Sequence, residues 1–112
     1  MVITATDLGA IVENFVGLLE SAVEVEAIVL FGSYAHGAAR EWSDIDVAVI
    51  SRDFEDVPMW RRQEIIAIAT LNRDRRLAPI GYPSSEYHNP GPHSFLREII
   101  RTGRVVYQDS KD

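Results

Sequence analysis

Two aspartates, Asp44 and Asp46, lie two residues apart at the start of an apolar segment. If that segment is a β-strand, both carboxylates point to one face of the sheet and Ile45 points to the other. Their Cα atoms would then lie roughly 6.5–7 Å apart. Mg²⁺ usually binds one or two protein carboxylates together with substrate phosphates. The spacing is compatible with a metal site, although an isolated Asp-x-Asp is more often an ordinary polar strand start.

A Gly-Ser pair, Gly32-Ser33, follows the apolar residues 26–31 and precedes Asp44 by ten residues. Glycine lets a ligand approach the backbone closely. The serine hydroxyl and the N–H groups of a turn that begins a helix can bind phosphate. Alone, the pair is more often a strand-to-helix turn capped by serine. With Asp44 and Asp46, the pair predicts hydrogen-bond donors for phosphate and metal ligands at neighbouring strand ends. Phosphoryl or nucleotidyl transfer needs this arrangement.

The elements that must position this segment alternate along the chain. Apolar periodicity predicts helices at residues 6–22, 33–39, 58–72 and 95–100, and strands at 26–31, 44–51, 77–82 and 105–107. Residues 83–92 read as a loop, Pro79 suggests an edge or a bend in the third strand, and Gly103 is expected to end the last helix. The predicted fold class is α/β (or α+β), with a small mixed β-sheet and helices packed on it.

Length and charge narrow the class of protein. The 112 residues predict a single domain, 1–112, and the absence of cysteine excludes a disulfide framework and a thiolate metal site. The net charge of −6 argues against non-specific binding to duplex DNA, which needs a basic surface. No apolar run approaches the ~20 residues of a membrane span, and the N-terminus does not resemble a signal peptide. We therefore expect a cytoplasmic protein.

The composite pattern resembles the signature of a known family. Gly32-Ser33, the ten residues from Tyr34 to Ser43, and Asp44-Ile45-Asp46 are similar to the motif of polymerase-beta-type nucleotidyltransferases. The short chain resembles the minimal nucleotidyltransferases of bacteria and archaea. The resemblance implies the polymerase-beta-like nucleotidyltransferase fold, with Asp44 and Asp46 as catalytic metal ligands and Gly32 and Ser33 as the nucleotide-binding residues.

The same resemblance implies a reaction and a partner. The expected substrate is a nucleoside triphosphate, most often ATP, with Mg²⁺ as cofactor. Many minimal members form a toxin–antitoxin pair with a HEPN-domain protein, and the nucleotidyltransferase acts as antitoxin by adding AMP to a tyrosine of the toxin. The expected partner is therefore a HEPN-type toxin, and self-association into a homo-oligomer is left open.

The sequence departs from the family pattern at two positions. Members usually carry a third carboxylate on a later strand, but the predicted strand at 77–82 contains no acid, and Asp74 and Glu86 only flank it. In polymerase-like members the third acid is the base expected to activate the acceptor hydroxyl, so its absence here leaves that activation without an evident residue. The residue before the second glycine, often Arg or Lys in the family, is His36 here.

Two classes of function therefore remain open. The first is an active protein adenylyltransferase. The alternative is a binding module that is catalytically weak or inactive and neutralises its partner by direct contact. A third and weaker reading, a transferase that modifies RNA or an antibiotic, lacks an evident acceptor domain. Trp42 could stack on a base, Trp60 is expected in packing, and the arginines at 61, 62, 73, 75, 76, 97, 101 and 104 are expected mainly on solvated faces.

Overall fold

The computed structural model describes residues 4–40 and 43–110. Its helices are α1 (Ala5–Leu19), α2 (Met59–Ala69), α3 (Ser84–His88) and α4 (Phe95–Thr102), and its strands are β1 (Ala27–Phe31), β2 (Ile45–Ser51), β3 (Leu77–Pro83) and β4 (Arg104–Gln108). Short 3-10 turns at Gly32–Tyr34 and Arg52–Phe54 follow β1 and β2. Of the helices in the described ranges, none combines the length and apolar character that crossing a membrane requires.

The four strands form one mixed sheet in the order β3-β2-β1-β4. Strand β1 runs antiparallel to both β2 and β4, whereas β2 and β3 are parallel. The last residue of β1 and the first residues of the other three strands therefore lie along the same row of strand ends. We call this row of strand ends the upper edge of the sheet, as distinct from its border strands β3 and β4. The predicted mixed sheet and α/β class are confirmed, and the candidate residues all lie at the upper edge.

Each face of the sheet is covered by a different set of helices. Helices α1 and α2 cover one face, whose buried cluster includes Phe15, Leu19, Ile28, Leu30, Val47, Val49 and Ile66. The other face carries a smaller cluster of Val29, Ala48, Ile50, Tyr82, Leu96 and Ile99, in which α4 supplies the last two. Side chains alternate along β2, so Asp46 continues the row of Ala48 and Ile50 and lies on the α4 face.

Several predicted helix limits were wrong. Helix α1 ends at Leu19 rather than residue 22. The helix expected at 33–39 is only a 3-10 turn at Gly32–Tyr34, since the second glycine, Gly37, has a φ of +69° that a right-handed helix cannot continue. Pro58 is the N-cap of α2, not its first helical residue, because its ψ of 154° is extended.

A helix, α3, replaces the predicted loop at the beginning of residues 83–92. Its first turn is stabilised by residues that are distant in the sequence. The Glu55 carboxylate accepts hydrogen bonds from the Ser85 amide (2.8 Å) and hydroxyl (2.6 Å). The Glu26 carboxylate accepts from Ser84 Oγ (2.5 Å) and contacts His88 Nε2 at 2.5 Å. Tertiary contacts therefore create a helix that local sequence signals did not indicate.

Strand β3 is an edge strand, as Pro79 predicted. One side chain of α2 forms hydrogen bonds with two backbone groups on the outer side of this strand. Gln63 Nε2 donates to the Pro79 carbonyl at 2.8 Å, and Gln63 Oε1 accepts from the Gly81 amide at 2.9 Å. The amide side chain thus takes the place of a neighbouring strand over this stretch.

Candidate active site

Gly32 and Asp46 meet at the upper edge of the sheet. Phe31, the last residue of β1, pairs directly with Asp46 of β2. The chain turns at Gly32 with a φ of +72°, a conformation that other residues rarely adopt. A Cβ atom at Gly32 would overlap Asp46 Oδ2. Glycine is required here for two reasons: the backbone conformation, and the close approach of the carboxylate.

Asp44 and Asp46 form an electrostatically unfavourable pair. Asp44 is exposed and Asp46 is partly buried. Burial, and then the negative charge of Asp44, raise the pKa of Asp46 above its ordinary value. Among the described residues, no donor or cationic side chain forms a hydrogen bond or an ion pair with either carboxylate. Two neighbouring acids without a protein partner are well suited to a cation supplied with the substrate.

Ser33 lies inside the 3-10 turn and is partly exposed. Within the described chain, no side chain caps the start of this turn. The first N–H groups of such a turn have no acceptor within it, so they are available to an anion. His36 lies just beyond, exposed, with its amide donating to the Gly32 carbonyl at 3.3 Å. The structure therefore brings Gly32, Ser33 and Asp46 together at the same edge, with Asp44 beside them.

The donor set at this edge can be tested against Mg²⁺. Within the described ranges, no group of three or more acidic or histidine side chains is arranged so that it could hold a metal ion. Two carboxylates are nevertheless enough for Mg²⁺, which completes its shell with water and substrate phosphates. Asp44 and Asp46 offer only oxygen ligands, and neither has a hydrogen-bond donor or cation among the residues that the structure describes, which fits that ion when it arrives with a triphosphate.

The residue of β3 that lies beside Asp46 is Ala78, which carries no acid. In the parallel pairing of β2 with β3, Ala78 is the partner of Asp46, so its side chain lies beside the carboxylate on the same face. Asp74 does not substitute, because it is hydrogen-bonded to Arg76 in the turn before β3 (2.7 Å). Glu86 lies in α3, beyond the opposite end of β3. The strand therefore supplies a methyl group where an acid would be expected.

The remaining candidates from the sequence are distributed over the surface. Arg61 and Arg101 form ion pairs with Glu64 and Glu98, as expected for solvated helix faces. The prediction that Trp60 is used in packing was wrong, since 69% of this residue is exposed. Trp42, proposed to stack on a base, lies outside the described residues.

A cavity of about 330 Å³ opens beside Asp46 on the α4 face of the sheet. It is lined by polar groups, at His36, Asp46, Glu98 and Thr102, and by apolar ones, at Phe31, Phe95 and Ile99, with the backbone of Gly32 between Phe31 and Asp46. The sequence analysis gave Phe95 no role at the site because it counted only as part of the apolar periodicity of the helix predicted at 95–100. Phe95 is in fact 59% exposed, while Leu96 and Ile99 form the buried stripe. Since Phe95 lies four residues before Ile99, helical spacing alone gave no signal of this exposure.

Comparison with known proteins agrees with this geometry. The polymerase beta nucleotidyltransferase family model matches residues 13–112. A protein from Methanocaldococcus jannaschii, named "Putative protein adenylyltransferase", is 31% identical over 86 residues, which cover 74% of this chain and 80% of that protein.

Two solved structures have the same fold. A "putative nucleotidyltransferase" from Sulfolobus solfataricus has a TM-score of 0.69 at 15% identity, covering 92% of this chain and 82% of its own. A toxin–antitoxin structure with AMP-PNP has a TM-score of 0.52 at 24% identity, covering 88% of this chain and 74% of its own. The match over most of the chain and the shared fold lead to one conclusion. The chain belongs to the polymerase-beta-type nucleotidyltransferase family.

Proposed function

We propose that this protein transfers AMP from ATP to a hydroxyl group on a partner protein, and that the partner is a HEPN-type toxin that this modification neutralises. The observation that carries the proposal is the close approach to Gly32, at the start of the 3-10 turn, of the Asp46 carboxylate, which has no hydrogen-bond donor or cation among the described residues. The name of the Methanocaldococcus relative supports a protein as acceptor. The resemblance to minimal nucleotidyltransferases supports the toxin partner.

The residues of the site divide the work of such a transfer. Gly32 and Ser33 would bind the β- and γ-phosphates through backbone N–H groups and the serine hydroxyl. Asp44 and Asp46 would hold Mg²⁺, which when bound supplies positive charge to the phosphate oxygens. The acceptor oxygen attacks the α-phosphorus, the bond from that phosphorus to the bridging oxygen breaks, and pyrophosphate leaves. The protein contributes mainly position and charge.

The acceptor proton must leave by another route than a carboxylate on β3, because Ala78 occupies that place. A basic group of the partner or a water molecule would take the proton. We infer that transfer requires the intact partner surface and that free tyrosine is a poor acceptor.

The decisive experiment combines the protein, its partner, Mg²⁺ and ATP, and measures the added AMP by mass spectrometry. We expect one modified hydroxyl on the partner, and no modification with Asp44→Asn. Asp56→Asn is the matched control, because Asp56 is exposed, lies beyond the opposite end of β2, and has a φ of 60° that asparagine tolerates. Absence of any added nucleotide on the partner, with every nucleoside triphosphate tested, would refute the enzymatic proposal.

One observation favours the alternative of an inactive binding module: the methyl group of Ala78 beside Asp46. A double variant, Asp44→Asn with Asp46→Asn, separates the two ideas in cells that express the toxin. A binding module keeps its protective effect in this variant, whereas an adenylyltransferase loses it. Co-purification of the variant with the toxin provides the control that their contact is intact.

A further inference from the structure

The cavity beside Asp46 is lined by aromatic as well as polar groups. Gly32 and Asp46 line it together with the rings of Phe31 and Phe95. Glu98, which also lines it, is ion-paired with Arg101, so this pair adds no net charge. A nucleoside triphosphate combines the same two kinds of group, a charged phosphate chain and a neutral flat base.

Phe95 is the exposed member of an aromatic pair. Its ring lies 5.7 Å from that of Phe31, centroid to centroid, at an interplanar angle of 84°. Such an edge-to-face contact leaves ring surface free, and 59% of Phe95 is exposed. Leu96 and Ile99 already supply the buried surface of α4. The core therefore does not account for Phe95, and its place beside Asp46 distinguishes it from an isolated exposed apolar residue.

The size of the cavity also limits what can occupy it. About 330 Å³ is at the low end of the range for small-molecule sites. The space suits the nucleoside part of the substrate, while the phosphates extend over the turn at Gly32–Tyr34.

We propose that this cavity holds the base of the nucleoside triphosphate, stacked on the ring of Phe95. The inference rests on the proposed function and extends it to the recognition of the substrate. Every nucleobase has a π-face, so stacking gives affinity without selecting one base strongly. Phe31 supports Phe95 from the side and fixes the orientation of its ring.

The test compares two ligands that differ in the base. Affinities for a non-hydrolysable ATP analogue and for inorganic tripolyphosphate are measured with Mg²⁺ by calorimetry. We expect Phe95→Ala to weaken binding of the ATP analogue about tenfold and to leave tripolyphosphate binding unchanged. Phe95→Leu should lose most of the same affinity because it lacks a π-face, whereas Phe95→Trp should retain it.

Trp60→Ala is the matched control, since Trp60 is an equally exposed aromatic residue on α2, which packs against the opposite face. It should bind both ligands as the wild type does. Thermal melting of each variant verifies folding, which an exposed side chain at Phe95 should disturb little.

Equal binding of the ATP analogue by Phe95→Ala and wild type would overturn this inference alone. A parallel loss of affinity for both ligands would also overturn it, since it would indicate a damaged phosphate site. If Phe95→Ala weakens only the complex with the partner protein, the ring belongs to the partner surface and the inference is wrong. If the wild type binds neither ligand, the proposed function fails as well, so the two failures are distinguishable.

Discussion

The two ends of β1 each lie beside an acidic side chain with restricted access to water, and the two acids have opposite surroundings. Glu26, just before β1, is 8% exposed, accepts a hydrogen bond from Ser84 and contacts His88. Burial alone would raise the pKa of Glu26, but these hydrogen bonds and the charges of His88 and Arg52 lower it. Asp46, across from the last residue of β1, has a raised pKa because of burial and the charge of Asp44.

Ionised Glu26 stabilises the fold, whereas ionised Asp46 destabilises it. Glu26 attaches α3 to the sheet, so the folded protein gains from its ionised form. Asp46 has, within the described chain, no hydrogen-bond donor to compensate its charge, so the folded protein gains nothing from ionising it. Unfavourable local electrostatics of this kind are concentrated at functional sites. We therefore expect substitutions of the two acids to act on different properties.

The largest expected effect is that of Asp46→Asn on AMP transfer. The variant should reduce transfer about 10³-fold or more, since a charge that positions the reacting phosphates is lost. Its melting temperature should be equal to or slightly above that of the wild type, because the repulsion with Asp44 is removed. Transfer assays and calorimetry measure the two effects. A large loss of stability would show that Asp46 is a structural acid like Glu26.

Gly32→Ala should affect both properties. The left-handed backbone and the overlap with Asp46 Oδ2 are expected to cost about 1–3 kcal/mol of unfolding free energy. Displacement of the carboxylate should also abolish most of the transfer. Gly9→Ala is the control in denaturant unfolding, because Gly9 lies inside α1 with open space around it and should gain about 0.5–1 kcal/mol. Unchanged stability of Gly32→Ala would contradict the close approach.

Glu26→Ala should reduce stability without a direct effect on transfer. Removal of this carboxylate leaves the buried Ser84 hydroxyl without its acceptor, which is expected to cost about 1–3 kcal/mol. Urea unfolding gives the loss of stability, and the transfer rate per folded molecule should equal that of the wild type. A loss of transfer that persists after correction for folding would mean that the two ends of the sheet are coupled.

The smallest expected effect is the pH dependence of the contribution from Glu26. Because the pKa of Glu26 in the folded protein is below its ordinary value of 4.5, its stabilising effect is complete above that value and is lost as the pH falls through the lowered pKa. The stability difference between wild type and Glu26→Gln should therefore shrink as the pH falls below about 5. Asp74 and Glu98, whose pKa values are also lowered and do not depend on Glu26, are present in both proteins and cancel. A difference that grows on acidification would contradict the assignment.

The sequence predicted those parts of the molecule whose signals are local. The β-branched residues of β2, the apolar stripe of α1 and the Pro79 edge depend on neighbours in the chain, and each appears in the structure. The convergence of Gly32 and Asp46 was predictable because both lie at the ends of short buried strands joined by one connection.

The sequence could not show what depends on distant residues. Helix α3 is held by Glu26, 58 positions before its partner Ser84, and by Glu55, 30 positions before its partner Ser85, so the residues of the helix themselves read as a loop. The pairing of Ala78 with Asp46 required the register of a parallel strand pair. The exposure of Phe95 and Trp60 depended on which helix face meets the sheet, and apolar character alone did not decide it.

The amide of Gln63 has a consequence for how other chains can attach. Its two hydrogen bonds close the outer side of β3 at Pro79 and Gly81. A polypeptide that extends the sheet by strand addition would first have to displace Gln63 there, and Pro79 offers it no N–H group. Strand β4 carries exposed residues at Arg104, Val105 and Gln108 on the other border. An incoming strand would therefore meet this obstacle at β3 and not at β4.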